Sequence, residues 1–299
     1  MDEQLSKVLR ATPIVLSTPT GPLERQMKTV LITGCSSGYG LETARYFLAL
    51  GWKVIATMRT PRHDLFPPSA NLRVIALDVT RVESIAQALD AAGPIDVLVN
   101  NAGIGLFGAF EATPMATVRE VFETNTFGTM AMCQAVIPQF RARGAGIIIN
   151  ITSSAVLAPF PLVAAYTASK AAIEGFTSSL EHELGAFGVR VKLVEPGYGP
   201  STRFTANGQG RMQGLIPGAY ETFAHRVFSS LADNHAVTHE ADVALEVWRA
   251  ANDATGQLRF AAGADAVALM LARRAETAEE GAHGDPVQRC CCMPDGASP

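Results

Sequence analysis

No apolar stretch in this 299-residue chain reaches the roughly 18 residues that a membrane-spanning helix requires. The run AVLAPFPLVAAY (Ala155–Tyr166) is short and interrupted by two prolines, so no membrane span is expected. Basic charge is also scarce: 24 Lys and Arg stand against 28 Asp and Glu, a net charge of −4. Nucleic-acid binding needs a basic face, so no nucleic-acid partner is expected. The five cysteines are too few and too scattered for a disulfide scaffold. Cys35 and Cys133 sit in apolar segments. Cys290, Cys291 and Cys292 fall together near the end, with His283 nearby, but match no zinc-ligand spacing, so no metal is expected. The opening residues begin acidic and lack the basic-then-apolar order of a secretory signal. Residues 1–27 therefore read as a loosely ordered extension, and the default compartment is the cytoplasm.

What is present suits a large folded interior: 48% hydrophobic and 17% charged residues. Short runs rich in Val and Ile read as strands at Lys28–Gly34, Trp52–Met58, Leu72–Asp78, Ile95–Asn100, Gly146–Thr152, Val189–Pro196 and Gln257–Gly263. They are apolar on both alternating faces, the pattern of parallel strands covered on both sides by helices. Helical patterns lie between them at Leu41–Leu50, Val82–Ala91, Met115–Arg143 and Ala165–Phe187, with two more near the end, HEADVALEVWRAA and ADAVALMLARR. The β-α-β rhythm predicts an α/β fold: a single-domain, doubly wound parallel sheet of about seven strands, helices on both faces. That domain should cover 28–272, with 198–235 as a polar segment of scattered apolar side chains and 273–299 as a disordered tail.

The first strand runs into TGCSSGYG (Thr33–Gly40), followed by a helix. Gly34 permits a tight turn, Gly38 lets backbone approach a pyrophosphate, and Gly40 permits close packing of helix on strand. The helix start offers free N–H groups to the anion. No Gly-Lys-Ser/Thr follows, which excludes a Walker loop. The cofactor candidates here are Gly34, Ser36, Ser37, Gly38, Tyr39 and Gly40 of a Rossmann-type site. The second strand ends ATMRT, with Arg59 and no acid. An acid there would bind a ribose 2′-OH, whereas an arginine accommodates a 2′-phosphate. NADP(H) is thus favoured, with NAD(H) as the alternative, and Ser37 offers the phosphate a further hydroxyl.

Tyr166 and Lys170, in AAYTASKAAIEGF, stand four apart and share one helical face. Interconverting an alcohol and a ketone moves one proton with each hydride, and the protein must supply the proton donor and acceptor. A free phenol titrates near 10. Bringing it toward neutrality takes roughly 4 kcal/mol of differential stabilisation, which a neighbouring ammonium and the oxidised nicotinamide ring can supply. Taken alone, such a pair is more often two side chains snorkelling from a helix surface.

The spacing G-x-x-x-G-x-G, the NNAG segment at Asn100–Gly103 and Tyr166-x-x-x-Lys170 together resemble the short-chain dehydrogenase/reductase family over roughly residues 28–272. The resemblance implies further roles. Ser153 matches the serine that hydrogen-bonds the substrate oxygen, and Asn125 the asparagine that holds a water linked to the lysine. Asn125, Ser153, Tyr166 and Lys170 would then form a catalytic set. Asp78 and Val79 match positions that contact adenine, though Asp78 equally suits a turn cap. Asn101, Ala102 and Gly103 line the cofactor cleft with Tyr166 and Lys170. Pro196 and Gly197 lie beside the nicotinamide, with Ser201 or Thr202 near its carboxamide. Segment 198–235 would form a substrate lid, and a homodimer or homotetramer is implied. TGCSSG with ATMR resembles the branch containing 17β-hydroxysteroid and retinol dehydrogenases, which points to a small hydrophobic carbonyl or alcohol substrate. Two rivals remain: a non-catalytic NADP(H)-binding regulator or scaffold, and an epimerase or dehydratase. An intact Asn-Ser-Tyr-Lys set speaks against the first, and the lack of the spacing T-G-x-x-G-x-x-G against the second.

Overall fold

The structure is a computed structural model that describes residues 27–202, 204–232 and 236–282. The expected extension before Met27 and the Cys290–Cys292 tail lie outside these residues. All seven predicted strands are found: β1 (Thr29–Ile32), β2 (Lys53–Met58), β3 (Leu72–Ala76), β4 (Val97–Asn100), β5 (Gly146–Ile151), β6 (Val189–Pro196) and β7 (Arg259–Ala262). They form one parallel sheet in the order β3-β2-β1-β4-β5-β6-β7.

The register explains why these strands carry apolar residues at every position. Ile55, Leu31, Leu98, Ile148 and Val191 lie in one row across the sheet, and the next row is Ala56, Ile32, Val99 and Ile149. Successive residues of a strand point to opposite faces, so the two rows feed two cores. The first row packs under α2 (Val82–Ala92), α4 (Gly128–Arg143) and α5 (Ala164–Gly185) through Ile85, Met132, Phe140 and Leu180. The second packs under α1 (Gly38–Ala49) and α8 (Glu240–Asn252) through Phe47, Val243 and Val247. Each such fully buried aliphatic side chain contributes about 1.5–3 kcal/mol.

The chain leaves β1 for β2 and β3 on one side, then returns to β4 on the other. The crevice at the C-terminal ends of β1 and β4 is therefore the topological switch point, where doubly wound folds bind their ligands.

Three elements differ from the sequence reading. The predicted helix Met115–Arg143 is divided: α3 (Met115–Phe122), a π-helical turn (Glu123–Phe127), then α4. Segment 198–235 contains two helices, α6 (Phe204–Met212) and α7 (Gly218–Ala232). The segment packs on the rest of the molecule: Leu215, between the two helices, joins Leu106, Val121 and Ala165, and Val227 of α7 joins Ala109 and Leu162. The last helix, α9 (Ala264–Ala282), continues ten residues past the boundary drawn at 272.

Candidate active site

The turn after β1 is built by close backbone approach. Gly34 has φ +75°, and a β-carbon there would stand 2.8 Å from Ala102 Cα. Asn101 bridges the switch point: its side-chain amide donates to the carbonyls of Thr33 (2.9 Å) and Gly34 (3.2 Å). Thr33 Oγ1 in turn accepts from the N–H groups of Asn101 (3.0 Å) and Ala102 (2.9 Å). A β-carbon at Gly40 would collide with the Asn101 amide, so this glycine serves the same junction. Ser37 is the N-cap of α1, but its hydroxyl makes no capping bond, and the first turn carries no acid. Those N–H groups and the half-buried Ser37 hydroxyl fit an anion, as a dinucleotide pyrophosphate requires. Ser36 is exposed beside them.

Arg59 is exposed just past β2, and its charge acts on the carboxylates of Asp78 and Glu120. Asp78 performs the turn-capping role: Oδ1 accepts from Thr80 N at 3.0 Å and from Thr80 Oγ1 at 2.7 Å. Val79 is buried with its side chain against Gly128. Asn100 faces the core, where its amide donates to Asn150 Oδ1 at 2.9 Å, so it supports the sheet.

The chemical end forms where α5 crosses the end of β5. Lys170, buried, donates from Nζ to Ile151 O at 2.9 Å. Tyr166 hydrogen-bonds Ser153, whose Oγ also accepts from Ala155 N at 3.2 Å. Burial pushes the Tyr166 phenol up to about 12, with the Ser153 bond acting the other way. The shift is opposite to the lowering expected from the sequence, because desolvation is the larger cause and the Ser153 bond the smaller. Burial also pulls Lys170 down to about 8.

Asn125 sits in the π-helical turn, which presents its side chain to the β4 loop. Its carboxamide accepts from Ile104 N (2.8 Å) and donates to Ile104 O (3.0 Å) and Ser169 Oγ (3.1 Å). Ser169 passes the link on, donating to Tyr166 O at 2.7 Å. Gly103 lies between: a β-carbon there would stand 3.3 Å from Asn125 Oδ1 and 3.4 Å from Lys170 Nζ.

After β6 the two candidate hydroxyls part. Ser201 turns outward to Glu240 Oε2 at 2.8 Å. Thr202 faces the glycine loop, its Cβ 3.6 Å from where a β-carbon of Gly38 would lie. Gly197 is pinned by residues the sequence reading missed: its N–H donates to Thr238 Oγ1 (3.1 Å), and the Asp265 carboxylate accepts from Thr238 Oγ1 (2.6 Å) and Tyr198 N (2.6 Å). Asp265 stands 69 residues beyond Pro196 with no motif to mark it, so only the fold brings it in.

Above Tyr166 the walls are apolar, from Leu106, Leu215 and Ala165. Leu162, in the loop leading to α5, has φ +66°, a strained left-handed backbone that costs about 1–3 kcal/mol. Its carbonyl accepts from Gly108 N at 2.7 Å, which fixes the loop against that wall.

Residues 28–211 match the family model described as short chain dehydrogenase. The chain belongs to the short-chain dehydrogenase/reductase family. It is 41% identical over 184 residues to Uncharacterized oxidoreductase YusZ of Bacillus subtilis, covering 57% of this chain and 64% of that one. It is 37% identical over 210 residues to the 3-ketodihydrosphingosine reductase of Bacteroides thetaiotaomicron, covering 69% and 75%. It is 41% identical over 181 residues to Retinol dehydrogenase 8 of Homo sapiens, covering 57% and 58%. A short-chain dehydrogenase structure from Streptomyces avermitilis superposes with a TM-score of 0.73 at 32% identity, covering 89% of this chain and 99% of that one. A short chain dehydrogenase from Burkholderia cenocepacia in complex with NADP superposes with a TM-score of 0.68 at 25% identity, covering 86% and 97%. The steroid/retinol branch is thus among this chain's relatives, and the seven-stranded sheet is that of its structural neighbours. Among the described residues, no helix is long and apolar enough to cross a membrane.

Proposed function

We propose that the protein is an NADP(H)-dependent oxidoreductase that interconverts a secondary alcohol and a ketone, or a primary alcohol and an aldehyde, on a hydrophobic substrate. The observation that carries this reading is the Tyr166–Ser153 hydrogen bond at the switch-point crevice, one helical turn from Lys170. A nicotinamide supplies or accepts the hydride when bound. Ser153 and Tyr166 together offer two hydroxyls to one substrate oxygen. Tyr166, protonated at neutral pH, donates its proton to that oxygen during reduction and takes one back during oxidation. Lys170 supplies positive charge beneath it and is oriented by Ile151 O. Leu106 and Leu215 keep water from the reacting face.

Arg59 and the absence of an acid at the end of β2 support NADP(H), as does the NADP bound to the Burkholderia neighbour. The apolar walls support a hydrophobic substrate, in keeping with the names of two relatives, a 3-ketodihydrosphingosine reductase and a retinol dehydrogenase. Exposed Phe127 and the small exposed residues Ala171, Gly175 and Ser179 on α5 support a homo-oligomer.

The test is oxidation of NADPH and of NADH by purified protein across small, aromatic, long-chain and steroid-like ketones, with Tyr166→Phe as control. Turnover with NADPH that falls at least ~100-fold in the variant, cofactor binding retained, is the expected result. Turnover with NADH alone overturns the cofactor assignment. Equal turnover by the variant removes Tyr166 from its role.

A further inference from the structure

Three consecutive residues at the end of β5 each hold one residue of α5. Ser153 bonds Tyr166, Ile151 O accepts from Lys170 Nζ, and Thr152 Oγ1 donates to Glu174 Oε1 at 2.6 Å. Tyr166, Lys170 and Glu174 are spaced i, i+4, i+8, so they form one stripe on the helix. The first two belong to the reaction described above. The third does not, and it is a buried carboxylate.

Behind Glu174 lies an imbalance of charge. Arg259 of β7 donates from Nη1 to Glu195 Oε1 of β6 at 2.7 Å, and also pairs with Glu174 Oε2. One guanidinium therefore meets two carboxylates, and both glutamates are buried. Burial and Glu174 together push the Glu195 pKa up, and Glu195 Oε2 has no partner among the described residues. Two buried carboxylates side by side are costly unless a second cation offsets one of them. Arg273 of α9 acts on Glu195, but it is exposed and donates to Val156 O. The buried cation one turn from Glu174 is Lys170.

We propose that Glu174 is a positioning residue whose carboxylate serves as the through-space counter-ion of the Lys170 ammonium, held in place by Thr152 and Arg259. Lys170 gives one of its three N–H groups to Ile151 O, and a charge one helical turn away acts on it without contact. Among the described residues, the ionisable groups around this pair are Tyr166 on the same helix, Glu195, Arg259 and Arg273; the end of β5 and the two residues after it contribute the neutral Ile151, Thr152 and Ser153. Burial favours the neutral amine of Lys170, and Glu174 opposes it. The proposal rests on the functional reading only for its consequence, that this charge supports Tyr166.

The chain has five lysines, Lys7, Lys28, Lys53, Lys170 and Lys192, so protein labelled with 13C at the lysine Cε gives a spectrum simple enough to titrate residue by residue. Lys170→Arg assigns the signal, and Lys192, buried against Asp253, is the internal reference for an intact fold. In Glu174→Gln, Glu195 still pairs with Arg259, so the guanidinium keeps a partner. The Lys170 midpoint should fall by about one pH unit in Glu174→Gln, with Lys192 unmoved. Glu174→Asp should restore part of the difference, and Thr152→Val should lower the midpoint by less than Glu174→Gln. A Lys170 midpoint that stays at its wild-type value in folded Glu174→Gln overturns the proposal, even if that variant melts earlier, since that is what a merely structural role gives. Should Glu174→Gln fail to fold, an unchanged midpoint in Thr152→Val overturns it instead. If wild-type protein turns over, the alkaline limb of its kcat/KM profile should move with the midpoint. A shifted midpoint in a protein that reduces no carbonyl would support this proposal and count against the functional reading alone.

Discussion

The hydroxyl of Tyr39 lies against the α-carbon of Gly199, so that a β-carbon at 199 would collide with it and stand 3.0 Å from Tyr39 Cζ. The ring thereby joins the start of α1 to the loop after β6 across the cleft. Burial, and then the charge of nearby Tyr166, hold the Tyr39 phenol well above its ordinary range. Gly199→Ala should displace the ring and weaken NADPH binding about tenfold, as overpacking of 1–3 kcal/mol predicts. Fluorescence titration with NADPH checks this. Adding Tyr39→Ala to Gly199→Ala should cost less than the two single effects combined, the sign of direct coupling.

Ketone reduction and alcohol oxidation should respond oppositely to pH. Tyr166 is raised to about 12, so the phenol is protonated through the neutral range and ready to donate. Oxidation needs the phenolate, which gains about tenfold per pH unit below the pKa. Reduction should fall above about pH 8, where Lys170 loses its proton. Initial rates in both directions from pH 6 to 10 test the pair of trends, and parallel profiles would contradict them.

Arg59→Ala should lower kcat/KM with NADPH by about 10–100-fold, the range expected when a charge-assisted phosphate contact is lost. The NADH value should change little. A matched loss with both cofactors would mean that Arg59 acts on the fold around Asp78 and Glu120 and does not read the 2′-phosphate.

Stability should depend strongly on a pair far from the chemistry. Lys192 Nζ lies 2.8 Å from Asp253 Oδ2, with the lysine side chain 2% exposed. Asp253→Asn leaves that ammonium with Gln257 O but no counter-ion and should cost about 3–5 kcal/mol in urea unfolding. The Asp253 carboxyl is held well below its usual range, with its bonds to Lys192 and Thr255 outweighing burial. Its contribution is therefore fully present above the ordinary carboxylate pKa of about 3.9 and is lost as pH falls through the depressed value.

The sheet was legible because both of its faces are buried: Leu31 and Ile32 must both be apolar, and a continuous Val/Ile run then marks each strand. The glycine turn and the Tyr-Lys pair were legible because their chemistry dictates spacing. The π-helical turn at Asn125 was not, since an amphipathic pattern reads through one extra residue per turn without a break. Helices α6 and α7 were hidden for a different reason: Ala224 and Val227 of α7 pack on Ala109 and Leu162, and Leu215 between the two helices packs on Leu106 and Ala165, partners far away along the chain of which local periodicity carries no trace. Thr152, Ser169 and Asp265 escaped for the same cause, being ordinary polar residues until β5, α5 and the start of α9 meet.

The grip of Thr238 and Asp265 on Gly197 and Tyr198 has a consequence for how this molecule can be recombined. The family match ends at residue 211, yet one wall of the cleft is anchored by side chains at 238 and 265. The proposed catalytic set and the anchors of the wall beside it thus travel on different parts of the chain. A chimaera joined after α6 would inherit Tyr166 and Lys170 intact, but would keep this wall firm only if its new C-terminal part brought a hydroxyl and a carboxylate to the same two places.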